Sequence, residues 1–268
     1  MPSLMDCLPG APWAPGVGRT WASALFGCGL CGLRDRGWDS ELTGWGIRRT
    51  GIHLLRDNGE MRHIIWDMGG TLVDTYPGVV NALCKAAFGD TTPAHLRETG
   101  ALTRRSIGHA IETLSASRGV PREDLERAHE ELKTRWRTRP APVMDGAREL
   151  MARVWEKGGL NLMATHRDRA SATMLVTVLG LDLDDMVCAP DGYERKPSPA
   201  MNLLLADKYG LDPTQVLCVG DRPIDAVAAA RAGMPPALLV SPGTILTLED
   251  PVEGTVVVAS LRDLIPFF

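Results

Sequence analysis

The sequence predicts an α/β fold: a Rossmann-like parallel sheet covered by helices on both faces, with an inserted helical cap domain. Three observations carry this. Strand-length apolar runs alternate with helix-length segments from residue 160 onward. A lone apolar run, His63-Ile64-Ile65-Trp66, stands far upstream of them. Between the two, from about residue 79 to 139, only helical patterns occur.

In chain order, the run at 63–66 stops at Asp67 and Gly69-Gly70 and reads as a buried strand ending in a tight loop. Asp74-Thr75-Tyr76-Pro77 offers a capping side chain and a proline suited to a first helical turn. Pro121-Arg122-Glu123-Asp124 opens the clearest helix of the next segment, with Leu125, Ala128, Leu132 and Trp136 on one stripe. A segment this long and helical is no simple crossover. Residues 77–142 are therefore expected to form the cap, and 61–76 with 143–268 the core.

The second half supplies helix 146–157 before Gly158-Gly159, strand 160–165, helix 169–179 before Gly180 and strand 186–189. Helix 199–209, strand 216–219, helix 224–232, strands 237–240 and 255–258, and a last turn at 261–265 follow. Right-handed crossovers between such strands make a parallel sheet. Ligands of these sheets bind beyond the strands' carboxyl ends. Asp67, Thr165 and Asp221 all fall there, on one rim.

Residues 1–60 lack this order: they hold no lysine and crowd glycine, proline and tryptophan together. They are expected to be an N-terminal extension, either disordered or the product of a mis-called start with Met61 as initiator. A net charge of −4 gives no electrostatic argument for nucleic acid. The chain has no run of about 18 apolar residues that would span a membrane. Its six cysteines are scattered, with Cys188 and Cys218 inside apolar runs, which suits a reducing cytoplasm. Cys28 and Cys31 have metal or redox spacing, but no second pair follows. A cytoplasmic monomer or homodimer is expected, with a small-molecule partner.

Asp67 at a strand end faces the backbone N–H groups of Met68-Gly69-Gly70-Thr71, a loop that can cradle phosphate. A loop-capping Asp is the plain alternative. In Gly220-Asp221-Arg222-Pro223-Ile224-Asp225 one carboxylate ends a strand and another opens the next helix. Brought near Asp67, they would repel unless one is protonated or a cation sits among them. Hard oxygen ligands and an anionic substrate favour Mg²⁺. Asp225 could also simply favour the positive end of its helix. Thr165 offers a hydroxyl, and Lys196, held in Lys196-Pro197-Ser198-Pro199, a compact positive charge.

The order Asp-x-x-Gly-Thr, Thr, Lys-Pro-x-Pro, Gly-Asp-x-x-x-Asp resembles the four motifs of the haloacid dehalogenase-like hydrolases. The likeness runs from Met61 to about Val258. Its helical-cap subgroup, typified by phosphoglycolate phosphatases and β-phosphoglucomutases, is the most similar. The resemblance implies a Mg²⁺-dependent phosphatase acting on a small phosphorylated metabolite. Asp67 would attack phosphorus and form an aspartyl phosphate. Mg²⁺ would be held by Asp67, Asp221, Asp225 and the backbone carbonyl of Gly69. Phosphate binding is expected from Met68, Gly69, Gly70, Thr165, His166 and Lys196, with Thr165 and Lys196 stabilising developing charge.

One position departs from the pattern. Where the family's phosphatases carry a second Asp that shuttles protons, this chain has Gly69. Three readings follow: a substrate with a good leaving group, a proton supplied from the cap by His95, His109 or His129, or a catalytically weak domain that acts by binding. Two rivals also stand: a metal-independent 2-haloacid dehalogenase, which the Asp221–Asp225 pair opposes, and a regulatory domain. A mutase would depend on the missing acid. Arg104-Arg105 could meet an anionic substrate or simply be solvated.

Overall fold

The computed structural model of the chain describes residues 60–240 and 252–268. The N-terminal extension up to residue 59 and the Cys28–Cys31 pair lie outside these residues.

A six-stranded sheet in the order β3-β2-β1-β4-β5-β6 forms the centre, and each pairing is parallel. Its strands are β1 (His63–Trp66), β2 (Asn161–Thr165), β3 (Asp185–Cys188), β4 (Val216–Gly220), β5 (Pro236–Leu239) and β6 (Val256–Val258). Four helices follow β1: α1 (Tyr76–Phe88), α2 (Pro93–Arg105), α3 (Ile107–Arg118) and α4 (Arg122–Arg135). Then come α5 (Ala147–Glu156), α6 (Arg169–Leu179), α7 (Ala200–Tyr209), α8 (Pro223–Arg231) and a closing 3-10 segment, Leu261–Phe267.

Side chains alternate across a strand, so neighbouring residues of β1 enter different cores. Ile64 and Trp66 pack with Leu150 and Val154 of α5, Leu175 of α6 and Leu261 and Leu264 of the closing segment. Ile65 joins Met201 and Leu205 of α7 and Ala229 of α8. Helices therefore cover both faces, as expected. Strand β1 is buried throughout apart from half-buried His63. Its one fully buried polar side-chain group, the Trp66 indole N–H, donates to Asn161 Oδ1 at 3.1 Å. Asn161 Nδ2 in turn donates to the Met151 carbonyl, so the polar pair is satisfied inside the core. Cys84, Cys188 and Cys218 are buried free thiols.

Helices α1 to α4 pack on one another. The chain leaves the sheet for them and returns along adjacent paths: Val73 and Val143 form an antiparallel bridge. The Asp74 N–H donates to Pro142 O, and the Met144 N–H to Leu72 O, both at 2.9 Å. Helix α1 starts with Pro77 in its first turn, but Thr75, its N-cap, makes no side-chain cap bond. Its backbone is already helical, φ −84° and ψ −23°. A capping side chain works from extended backbone instead, which is why the expected cap does not form.

Among the described residues no helix is long and apolar enough to cross a membrane.

Candidate active site

Strand β1 is the switch point of the sheet: β2 and β4 flank it, and their connections depart in opposite directions. Asp67 emerges here, its N–H held by Val219 O of β4 at 2.8 Å. The turn after it folds back, with Leu72 and Val73 N–H groups both donating to Met68 O and the Gly70 N–H to Val73 O. Gly70 sits at φ +88°, and a Cβ there would run into the Tyr76 ring and the Asp221 carboxylate. Only glycine fits. Gly69 has no such conformation, and a Cβ on it would approach Thr75 Oγ1 at 3.1 Å.

Around Asp67 lies a buried ionic cluster. Lys196 Nζ donates to Asp67 Oδ1 and to Asp225 Oδ1, both at 2.8 Å. Burial disfavours the Lys196 charge, but the combined pull of Asp225 and Asp67 outweighs it and raises the ammonium above its usual range. Asp225 is buried too, yet Lys196 and Arg222 hold its carboxyl below the ordinary value. Its Oδ2 accepts the Arg222 N–H at 3.0 Å, closing the first turn of α8. A side chain on Gly220 would collide with this carboxylate. Burial drives the Asp67 carboxyl up despite Lys196.

Asp221 contrasts with its neighbours. It is 1% exposed, and neither carboxylate oxygen accepts a hydrogen bond from the described residues. The nearby cationic nitrogens stand off: Arg104 Nη1 at 3.6 Å and Arg222 Nε at 4.0 Å. Burial, then the charges of Asp67 and Asp225, push its carboxyl up to about 7. Buried, unsatisfied oxygens of this kind fit a divalent cation. Among the described residues, however, no three His, Cys, Asp or Glu side chains already converge as a ligand set. Asp225, expected as a ligand, accepts a hydrogen bond from the chain on each oxygen.

Thr165 ends β2, buried, with Oγ1 accepting the Arg167 N–H at 3.2 Å. That leaves its O–H to donate. His166, expected to touch phosphate, accepts the Lys196 N–H on Nε2 at 2.8 Å. Burial first, then Arg195 and Lys196, lower it to about 3, so the ring is neutral. It thus buttresses the lysine.

Asp67 and Gly69 open onto a cavity of about 620 Å³ whose walls include Tyr76, His129, Arg167 and Arg222. Of the three cap histidines named from sequence, His129 is the one in this wall. His95 is bonded to Asp90 at 2.7 Å and stacked on Phe88. Arg104 is not solvated: its side chain is 10% exposed and its guanidinium lies 3.8 Å over the Tyr76 ring. Sequence reasoning also passed over Arg167 and Arg222. Adjacency to Thr165 and Asp221 was the available signal.

The family model for haloacid dehalogenase-like hydrolases matches residues 61–233. The chain belongs to that family. A phosphoglycolate phosphatase of Rhodospirillum rubrum is 30% identical over 184 residues, covering 64% of this chain and 76% of that one. A hydrolase from Streptococcus pneumoniae TIGR4 superposes with TM-score 0.54 at 27% identity, covering 68% of this chain and 94% of the other. CbbY from Rhodobacter sphaeroides, solved with phosphate, shares the fold with TM-score 0.58 at 20% identity, covering 76% and 96%. Within this haloacid dehalogenase-like hydrolase the ionic cluster occupies the sheet's switch point.

Proposed function

We propose that the chain hydrolyses a small phosphate monoester through a phosphoryl-enzyme intermediate on Asp67, with Mg²⁺ as cofactor. The observation that carries this is Asp67 itself. It is buried at the switch point, bonded to Lys196 Nζ at 2.8 Å, and borders a cavity of metabolite size. The names of relatives agree, phosphoglycolate phosphatase of Rhodospirillum rubrum among them.

In this reading Asp67 attacks phosphorus and the ester oxygen leaves; water then cleaves the acyl phosphate and restores the carboxylate. Lys196 fixes the attacking carboxylate and meets the phosphoryl oxygens, while the Thr165 hydroxyl donates to another. Asp225 acts through Lys196, holding its ammonium in place, and His166 holds its backbone. Asp67, Asp221 and the Gly69 carbonyl would carry the metal, with Asp225 in support; bound there, Mg²⁺ would neutralise phosphoryl charge. The unsatisfied Asp221 oxygens support that assignment.

Gly69 leaves no side chain to protonate the leaving group. General acid–base catalysis contributes about 10²–10⁴-fold, so slow turnover, or a substrate with a good leaving group, fits this chain.

The test is phosphate release from a panel of small phosphate esters, with Mg²⁺ or with EDTA, by the wild type and Asp67→Asn. Mg²⁺-dependent release lost in Asp67→Asn is expected. Equal rates in both proteins would remove the proposal.

A further inference from the structure

The cavity that Asp67 borders holds a second polar group in its wall, which the chemistry above leaves unused. His129 and Lys133 stand one turn apart on α4, and Arg167 reaches the same wall from the loop after β2. His129 Nε2 is buried with no hydrogen-bond partner among the described residues. Arg167 is half-buried. Its guanidinium donates to Ser171 Oγ at 3.0 Å and lies 5.2 Å from the Trp136 ring centre. No carboxylate of the described residues forms an ion pair with it. Lys133 does have anionic partners, Glu130 at 2.8 Å and Asp168 at 3.4 Å.

Among the described residues Arg167 touches only a hydroxyl and a ring face, while Asp168, Asp67 and Glu130 act on its charge from beyond ion-pair distance. A guanidinium withdrawn from water without a bonded oxyanion is costly. So is a buried imidazole nitrogen with no partner. Both costs vanish if a ligand brings oxyanion acceptors, which the planar guanidinium fork suits. The overall charge agrees. Lys133, Arg167, Arg195 and Arg222 line the cavity against the carboxylates of Asp67 and Asp168, and Asp67 is already paired with Lys196. Burial and the nearby Lys133 and Arg167 lower His129 to about 4, in keeping with a local excess of positive charge. A cavity of this size holds a metabolite rather than a lone phosphate.

We propose that Arg167 and His129, with Lys133 beside them, form an oxyanion subsite, and that the substrate carries a second anionic group besides the phosphoryl group attacked by Asp67. This rests on the phosphatase reading and adds a specificity site to it. A carboxylate and a second phosphate share the required chemistry.

The experiment compares kcat/KM for matched pairs on the full chain with Mg²⁺. The first pair is 2-phosphoglycolate against ethyl phosphate; the second is propane-1,3-diol bisphosphate against propyl phosphate. Wild type should prefer the doubly anionic member of at least one pair, and the preferred pair names the second group. Arg167→Gln should cut that preference about ten- to a hundredfold, the value of a lost charge-assisted bond. Arg167→Lys should keep part of it, and His129→Leu should lower it less. If Arg167→Gln does not fold, as read by thermal melting, the Lys and His129 variants decide. A wild-type preference near one in both pairs overturns the proposal, as does a preference that none of these variants changes. If no ester turns over, the phosphatase reading fails separately. Protection against melting by 2-phosphoglycolate or by the bisphosphate, but not by its monoanionic match, then still reads the subsite, and equal protection rejects it.

Discussion

Asp221→Asn tests whether the second carboxylate of the cluster is uncompensated in the metal-free protein. The carboxyl rises from an ordinary 3.8 to about 7. At about 1.4 kcal/mol per pH unit of difference, full ionisation costs the folded state about 4 kcal/mol. The sign follows from proton binding. Between 3.8 and about 7 the folded protein binds the proton that the unfolded chain has released. This contribution is therefore greatest at low pH and is lost as pH rises through about 7. Between pH 5 and pH 8 the loss is about 2–3 kcal/mol, or about 5–10 °C in Tm for a domain of this size. Asn keeps the shape and removes the charge. Melting curves of both proteins in EDTA should diverge as pH rises, with Asp221→Asn the more stable at pH 8. Adding Mg²⁺ should raise the wild-type Tm and leave the variant unmoved. Titrating groups outside the cluster of Asp67, Asp221 and Asp225 cancel in the comparison. Parallel Tm–pH profiles for the two proteins would refute the reasoning.

Gly69→Asp restores a side chain at the proton-relay position, and since its Cβ meets only the movable Thr75 hydroxyl at 3.1 Å, phosphate release should rise about 10²–10⁴-fold; an unchanged rate would show that proton transfer is not what limits this enzyme. Lys196→Met strands Asp67 and Asp225 as buried charges at a cost of about 3–5 kcal/mol, to be read as a lowered urea midpoint at unchanged m-value. Asn161→Leu leaves the buried Trp66 indole N–H unpaired, costing about 1–3 kcal/mol, and a urea titration should show that loss without loss of Asp67 chemistry in residual native protein. His166, lowered from 6.5 to about 3, stays neutral when folded and protonates when unfolded, so its contribution is present above pH 6.5 and is lost as pH falls toward 3. His166→Gln should flatten the acid limb of the stability profile.

The sheet was legible because its signals are local. Strands buried on both faces read as unbroken apolar runs, and β1 was placed at 63–66 on that ground, matching His63–Trp66. Helix ends followed from glycines such as Gly180 and Gly210, both left-handed caps. The rim position of Asp67, Thr165 and Asp221 came from strand ends alone. What the sequence concealed was partnership across the chain. Nothing local ties Lys196 to Asp225, or His166 to the Lys196 backbone, and those contacts decide which oxygens are free. Arg104, His129 and Arg167 have the same explanation. On a helix or loop a charged residue reads as solvated until a facing element is known, and here the facing elements are far away in sequence.

The paired exit and return of the helical segment have a consequence for changes in its length. Val73 and Val143 are zipped together, with hydrogen bonds on either side at Asp74–Pro142 and Leu72–Met144. To the sheet, everything between these residues is a loop with its ends already closed. Loop-closure cost grows only slowly with length, so a change in that segment's length is felt little at the seam itself. It is felt mainly through packing, where Leu125, Leu132 and Trp136 share one core cluster with Ile64 and Trp66. An insertion there is closed at a single seam, and its effect reaches the rim through Tyr76 against Gly70 and Arg104 beside Asp221.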